Sequence, residues 1–227
     1  MAPARRAPRL LIVDPSTGYP EGQGARVAAG DWPGEVRLLF PALSPGDGPD
    51  ASTGYDTEGV IVLGSRASVH DDLDWLARLS DWLRPIVEGE RDVPLLGICF
   101  GHQLVCHLAG GEVGMIDPDG HKLVAYERTQ LDESRLVPDR VEMEVVASHK
   151  EGVLAAPPGF RVTGRRDCSP VDLVEHPERP VFGAQFHPEA REEFTGCAGL
   201  EPSGLTPAFR RDNDALLAAF RTIALER

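Results

Sequence analysis

Cysteine is scarce and scattered in this chain of 227 residues. Its four cysteines, Cys99, Cys106, Cys168 and Cys197, form no C-x-x-C pair. A disulfide framework is therefore not indicated, and reduced thiols in a cytoplasmic protein are the expectation. Long apolar runs are missing too. Nothing approaches the ~20 residues that span a bilayer, and "LLIV" at 10–13 is too short for a secretory core segment. Positive charge is also in short supply: 23 Lys+Arg stand against 36 Asp+Glu, a formal −13. An acidic surface does not attract phosphate backbones or anionic lipids, so neither nucleic acid nor membrane is an expected partner. Repeats, linkers and low-complexity tracts are absent. At 41% hydrophobic residues, the chain reads as a single domain over 1–227, with the Arg- and Pro-rich stretch 1–8 as a loose lead-in.

What is present alternates strand-like and helix-like patterns. "RLLIVD" (9–14), "EVRLLF" (35–40), "GVIVLG" (59–64) and "VPLLGI" (93–98) are short apolar runs closed by turn-forming residues, as strands buried on both faces require. Between the last two, Leu73, Leu76, Leu79, Leu83 and Val87 recur at helical spacing, and Asp71, Asp72 and Asp74 crowd the start, where the helix dipole favours carboxylates. Strand, helix, strand predicts βαβ units and an open, mostly parallel α/β sheet flanked by helices. The second half differs. Short strand candidates such as "RVEMEVVASH", "GFRVTGRRD", "PVDLVEH" and "RPVFGAQF" predict a small antiparallel hairpin region, with "HPERP" as a hairpin connection. The end of the chain reads as loop and a closing helix, with Thr206 as N-cap, Pro207 at N1, and Phe209, Leu216, Phe220 and Ile223 along one face.

One stretch carries chemistry. Gly97-Ile98-Cys99-Phe100-Gly101 follows a strand and opens a helical pattern over about 100–109, the form of a nucleophile elbow with cysteine at its tip. A sharp strand-to-helix turn strains its central residue, and flanking glycines let backbone approach closely. Cys99 would then project at the carboxyl end of the sheet, where open α/β folds bind ligands. A helix N-terminus and a nearby imidazole lower a thiol pKa from ~8.5 to below ~7.5. The Phe100 N–H supplies half of an oxyanion hole. A buried structural cysteine is the alternative, and the rest of the constellation decides against it.

A cysteine nucleophile needs an imidazole base and a group to orient it. Of seven histidines, two open identical tripeptides, His176-Pro177-Glu178 and His187-Pro188-Glu189. The first falls in a polar hairpin turn. The second directly follows the apolar run "VFGAQF" and emerges where a sheet strand ends, so His187 is expected as base and Glu189 as its orienter. His102, four residues before Cys106, and His107 read as packing or hydrogen-bonding side chains, because two potential ligands on one helical turn make no metal site.

The motifs "LLGICFGHQ" (95–103) and "FGAQFHPE" (182–189) resemble class I (triad-type) glutamine amidotransferases, and most closely the stand-alone proteins similar to the glutaminase domain of GMP synthase. "VLGSRASVHDD" (62–72) and "SHKEGV" (148–153) fall where that family has a Gly-rich loop and a Ser-His loop. The resemblance implies a flavodoxin-like fold and attack of Cys99 on the side-chain amide of glutamine, with ammonia release from a γ-glutamyl thioester. It implies that Gln103, Ser148 and His149 contact substrate, and that Gly64 or Ser65 donates the second oxyanion N–H. Neither metal nor organic cofactor is implied. Two departures stand out: Gly64-Ser65-Arg66 replaces the family's Gly-Gly-Pro, and Ser148-His149-Lys150-Glu151 replaces Ser-His-Gly-Asp. Arg66 is either a substrate-carboxylate ligand or a solvated surface residue. Three functions stay open: a glutaminase feeding a separate synthase subunit, a free-standing γ-glutamyl hydrolase, and a non-catalytic regulatory subunit.

Overall fold

The computed structural model describes residues 6–18, 20, 22–44, 46–49 and 53–227. Residues 1–5 of the expected lead-in, and Tyr19, Pro45 and Asp50 in the expected turns, lie outside the described residues. Residues 6–8 are tied to the domain: Arg6 pairs with Asp56 and Glu58, and the Pro8 carbonyl accepts from Glu35 N and Trp32 Nε1.

Along the chain the elements are β1 (Arg9–Val13), α1 (Gly22–Ala29), β2 (Glu35–Leu39), β3 (Gly59–Val62), α2 (Asp74–Glu88), β4 (Leu95–Ile98), α3 (Phe100–Leu108), β5 (Glu112–Met115), β6 (Leu123–Leu131), β7 (Glu142–His149), β8 (Glu151–Ala155), β9 (Arg161–Arg166), β10 (Ser169–Glu175), β11 (Val181–Ala184), α4 (Glu192–Ala198) and α5 (Pro207–Leu225). Nine strands form one sheet in the order β2-β1-β3-β4-β11-β10-β9-β6-β7. The pairs from β2 to β11 are parallel and those from β11 to β7 antiparallel. The expected α/β sheet is thus present. Its antiparallel part is larger than a local hairpin, since it continues the same sheet edge to edge. A separate ribbon pairs β5 with β8.

Period-2 side-chain alternation explains the three layers. Leu11, Val13, Val60, Val62, Leu95 and Val181 point to one face and join α2 and α3 through Leu79, Leu83, Phe100 and Leu104. Leu10, Ile12, Ile61, Leu96, Ile98 and Phe182 point to the other and join α1 and α5 through Ala25, Leu216, Leu217 and Phe220. Each fully buried aliphatic or aromatic side chain here contributes roughly 1.5–3 kcal/mol of transfer energy. The helix expected over the acidic run begins only at Asp74; Asp71 instead accepts from Ser68 N in the preceding turn, at 2.9 Å. Thr206 caps α5 as its sequence predicts, accepting from Phe209 N at 3.0 Å.

The strand order places the site. β3, β4 and β11 are neighbours, with Val62 opposite Gly97 and Ala184 opposite Ile98. The segments leaving their carboxyl ends must therefore meet: Gly64 and Ser65 after β3, Cys99 after β4, and His187 after β11.

Candidate active site

Cys99 stands between β4 and α3 with φ 53 and ψ −103, and it is the one non-glycine residue with positive φ among those described. Such a backbone costs a side-chain-bearing residue about 1–3 kcal/mol, and the surroundings over-determine it. Cys99 N donates to Ala184 O at 2.8 Å, which ties the turn to β11. A Cβ on Gly97 would lie 2.3 Å from the Gly101 carbonyl oxygen, and one on Gly101 would lie 2.2 Å from the Val62 carbonyl oxygen. Both glycines are therefore required by space, because the backbones touch where any side chain would be.

His187 sits beside this turn. Its Nδ1 is 2.8 Å from Glu189 Oε1, and all three side chains are at most 4% exposed. Burial alone would lower the His187 pKa, but the Glu189 carboxylate on Nδ1 and the neighbouring Cys99 outweigh it and hold the imidazole well above its ordinary value. Gly64 borders both partners: a Cβ there would be 3.0 Å from His187 Cε1 and 3.7 Å from Cys99 Cβ. Neither Gly64, Ser65 nor Arg66 has positive φ, so serine in place of a second glycine imposes no backbone strain. The Ser65 hydroxyl donates to Pro15 O at 2.7 Å and accepts from Ala67 N, which pins the loop after β3 to the loop after β1.

Two cavity lobes meet at Cys99. The larger, about 500 Å³, is lined by Gln103, His149, Lys150 and Glu151. The smaller, about 310 Å³, is lined by His187, Phe194, Cys197 and Ser16. Ser65, Arg66, Cys99, Lys122 and Ser148 line both. Gln103 and His149 converge on one acceptor, the Glu151 carbonyl, at 2.7 Å from Gln103 Nε2 and 2.9 Å from His149 Nδ1. Phe100 begins α3 fully buried, its ring tilted against Trp75. Arg66 is exposed at the junction of the lobes.

The remaining histidines lie elsewhere. His176 stays in the β10–β11 turn, its Nδ1 accepting from Glu178 N and Arg179 N. His102 is buried under β10, 3.0 Å from Val171 O and 3.8 Å from Cys106 Sγ, and burial lowers its pKa to about 4. His107 meets His70 edge to face. Among the described residues, Asp117, Asp119 and His121 have cation-ligating proximity, but none of them lines either lobe.

Two contributors escape the sequence reading. Helix α4 occupies a stretch expected to be loop, and it sets the Phe194 ring against the His187 ring, tilted, at 4.3 Å between centroids. Its signals are Glu192 and Glu193 in the first turn and Gly199 at a left-handed C-cap. Arg191 is buried beside the His-Pro-Glu turn and donates to Pro188 O at 3.2 Å and Ala190 O at 2.6 Å, with Asp214 as its ion-pair partner. It fixes the path of the chain around His187.

A family model described as "Glutamine amidotransferase class-I" matches residues 47–204. A glutamine-hydrolysing GMP synthase subunit of Pyrococcus furiosus is 42% identical over 111 residues, covering 48% of this chain and 57% of that one. The corresponding Archaeoglobus fulgidus protein is 38% identical over 134 residues, 59% of this chain and 67% of that one. The chain thus spans a little over half the length of the first of these curated relatives. A GMP synthase subunit protein from Thermoplasma acidophilum shares the fold with a TM-score of 0.74 at 17% identity, over 98% of this chain and 96% of that one. A glutamine amidotransferase from Thermotoga maritima does so with a TM-score of 0.74 at 15% identity, over 98% of each chain.

Proposed function

This chain belongs to the class I glutamine amidotransferase family, and on that basis we propose that it hydrolyses the side-chain amide of glutamine through a γ-glutamyl thioester on Cys99. The observation that carries the reading is the strained Cys99 turn beside a buried His187–Glu189 pair at 2.8 Å. His187 takes the thiol proton as Cys99 attacks the amide carbon. The developing oxyanion is held by the Phe100 N–H and an N–H of the Gly64-Ser65 segment. The C–N bond breaks as the imidazolium protonates the leaving nitrogen. Water then attacks the thioester with His187 again as base, and glutamate leaves. Gln103, Ser148 and His149 face the glutamyl portion. Since the relatives are named as one subunit of a synthase, the released ammonia is assigned to a separate acceptor subunit. The four free cysteines fit a reducing cytoplasm. No helix among the described residues is long and apolar enough to cross a membrane.

The smaller lobe favours a second reading. His187 lines this lobe alone, whereas Gln103 and His149 line only the larger one. A leaving nitrogen protonated by His187 departs toward the smaller lobe, whose volume of about 310 Å³ is far more than one small molecule needs. Amines larger than ammonia fit there, as in γ-glutamyl peptides. Glutamate release is the test, measured on glutamine and on γ-glutamyl-glycine, alongside labelling of Cys99 by a glutamine-mimicking electrophile. Release from glutamine alone supports the ammonia-delivering subunit, and preference for the dipeptide supports the hydrolase. A protein that neither turns over nor labels is a non-catalytic subunit.

Glu189→Gln is expected to lower kcat about 10²- to 10⁴-fold, since the imidazolium loses its counter-charge and its orienting acceptor. The same change has a pH signature. Because folding raises the His187 pKa, the stabilisation it brings is complete below the ordinary value of ~6.5 and is lost as pH rises through the raised one. The melting-temperature gap between wild type and Glu189→Gln should therefore be widest near pH 6 and narrow toward alkaline pH. A gap that widens with pH would contradict the assignment.

A further inference from the structure

Charge is distributed unevenly over the two lobes. The larger lobe alone holds Lys150, Asp71 and Glu151, one cation and two carboxylates. That set matches the carboxylate and ammonium at the α-amino-acid end of a glutamyl group without further help. The smaller lobe alone holds one carboxylate, Glu193, whose Oε2 already accepts from Gln23 N at 3.1 Å. Two more cations, Arg66 and Lys122, line both lobes where they meet at Cys99. In a chain of formal charge −13, cations at the reacting centre beyond those the glutamyl end uses mark a place for a second anionic group.

Arg66 is the better placed of the two. It directly follows Gly64 and Ser65, and a Cβ on Gly64 would stand 3.7 Å from Cys99 Cβ, so its loop begins against the nucleophile. The Ser65 hydroxyl ties that loop to Pro15 O at 2.7 Å and accepts from Ala67 N at 3.1 Å, which fixes the backbone on either side of Arg66. The side chain is uncommitted: its guanidinium makes no hydrogen bond or ion pair with a described residue. Exposed arginines elsewhere, such as Arg128 and Arg165, find carboxylate partners on this acidic surface. His187 lines only the smaller lobe, so an amine that it protonates leaves past the junction where Arg66 stands. In an amino acid joined through its α-nitrogen, a single carbon separates that nitrogen from a carboxylate.

We propose that Arg66 is a specificity-determining residue whose guanidinium pairs with a carboxylate on the leaving amine, so that γ-glutamyl amino acids are taken in preference to uncharged γ-glutamyl amides, a role that rests on the γ-glutamyl hydrolase reading above. Lys122 adds a second positive charge at the same junction. The chemistry is otherwise unchanged. Cys99 Sγ bonds to the amide carbon, the C–N bond breaks, the proton on His187 passes to the nitrogen, and the free amino acid leaves before water releases glutamate. A planar guanidinium meets a carboxylate through two parallel N–H···O bonds, for which an alkyl amide offers no acceptor.

γ-Glutamyl-glycine and γ-glutamyl-ethylamide differ in little but that carboxylate, and glutamate release from each is compared with release from glutamine. Wild type should favour γ-glutamyl-glycine about 5- to 10-fold in kcat/KM, as befits an exposed charge-assisted pair. The preference should shrink in ~1 M salt, where the Debye length is ~3 Å. Arg66→Gln should abolish it, Arg66→Lys keep part of it, and Arg66→Glu reverse it. All three should fold, since Arg66 is exposed and has no described partner, and melting temperatures check this. Where turnover is too slow to compare, the affinities of Cys99→Ala protein for the two amides take the place of rates. Equal use of both amides, each ahead of glutamine, overturns the role of Arg66 and leaves the hydrolase reading standing. So does a preference that survives Arg66→Gln. Equal losses on both amides in Arg66→Gln would put the guanidinium at the glutamyl end instead. Glutamine used or bound alone ends the hydrolase reading, and the selection of a carboxylate with it.

Discussion

Cys99→Ala is expected to lower glutamate release from glutamine by about 10⁴-fold or more, because no thioester can form and only binding and oxyanion stabilisation remain. The fold should be untouched, since alanine keeps the Cβ and the Ala184 hydrogen bond is made by backbone. Cys99→Gly should be equally inactive but more stable than Cys99→Ala. Glycine accepts φ 53 without steric cost, and relief of about 1–2 kcal/mol of strain raises the melting temperature by roughly 2–8 °C in a chain of this size. Glutamate release and thermal melts on the two variants measure both effects. Residual activity above about 1% in Cys99→Ala would move the nucleophile elsewhere, with Cys197 in the smaller lobe as the first alternative. Equal melting temperatures would show that the turn is not strained.

The pairing of lost activity with gained stability is what a site held in a costly conformation predicts. It also explains which parts of the molecule were legible in the sequence. The parallel strands were, because continuous apolar runs such as Val60–Val62 and Leu95–Ile98 are buried on both faces and tolerate no polar residue. The elbow was, because its geometry admits only glycine at 97 and 101. The convergence of Cys99, His187 and Glu189 results from strand order, and the sequence supports that order only through the residues that succeed each strand.

The parts that stayed hidden lack such a local rule. Strand β6 alternates imperfectly, with Glu127, Arg128 and Gln130 on a half-exposed surface, so its register is set by β7 and β9 rather than by its own pattern. Helix α1 carries glycines at 22 and 24, which weaken helical propensity, and it is held by packing of Ala25 and Ala28 on the sheet. Helix α4 is too short to show a periodic stripe. The Arg166–Asp172 ion pair carries no sequence signature, because its burial depends on the pairing of β9 with β10.

Gly101→Ala is the sharpest probe of how the elbow is built. Its Cβ would sit 2.2 Å from Val62 O and 2.9 Å from Val62 C, both backbone atoms of a central strand that cannot withdraw without breaking its pairing with β1 and β4. Helix α3 must move instead, carrying Phe100 and Gln103 with it. The expected cost is about 3 kcal/mol, the upper end for overpacking, because the neighbour is unyielding backbone. In whatever folds, a displacement of ~1 Å at the reacting sulfur should slow Cys99 labelling about 10²-fold. Two other glycines calibrate the result. Gly64→Ala meets a His187 side-chain carbon at 3.0 Å, so it should disturb labelling while costing less stability. Gly196→Ala meets nothing within 4 Å on α4, and it should stabilise the protein by about 0.5–1 kcal/mol through helix propensity alone. Denaturant midpoints and labelling rates across the three variants decide the matter. If Gly101→Ala behaves like Gly196→Ala, close contact between α3 and β3 is not what aims Cys99. If it loses both stability and labelling while Gly64→Ala loses mainly labelling, the elbow is aimed by backbone contact and the chemistry is tuned by the loop beside it.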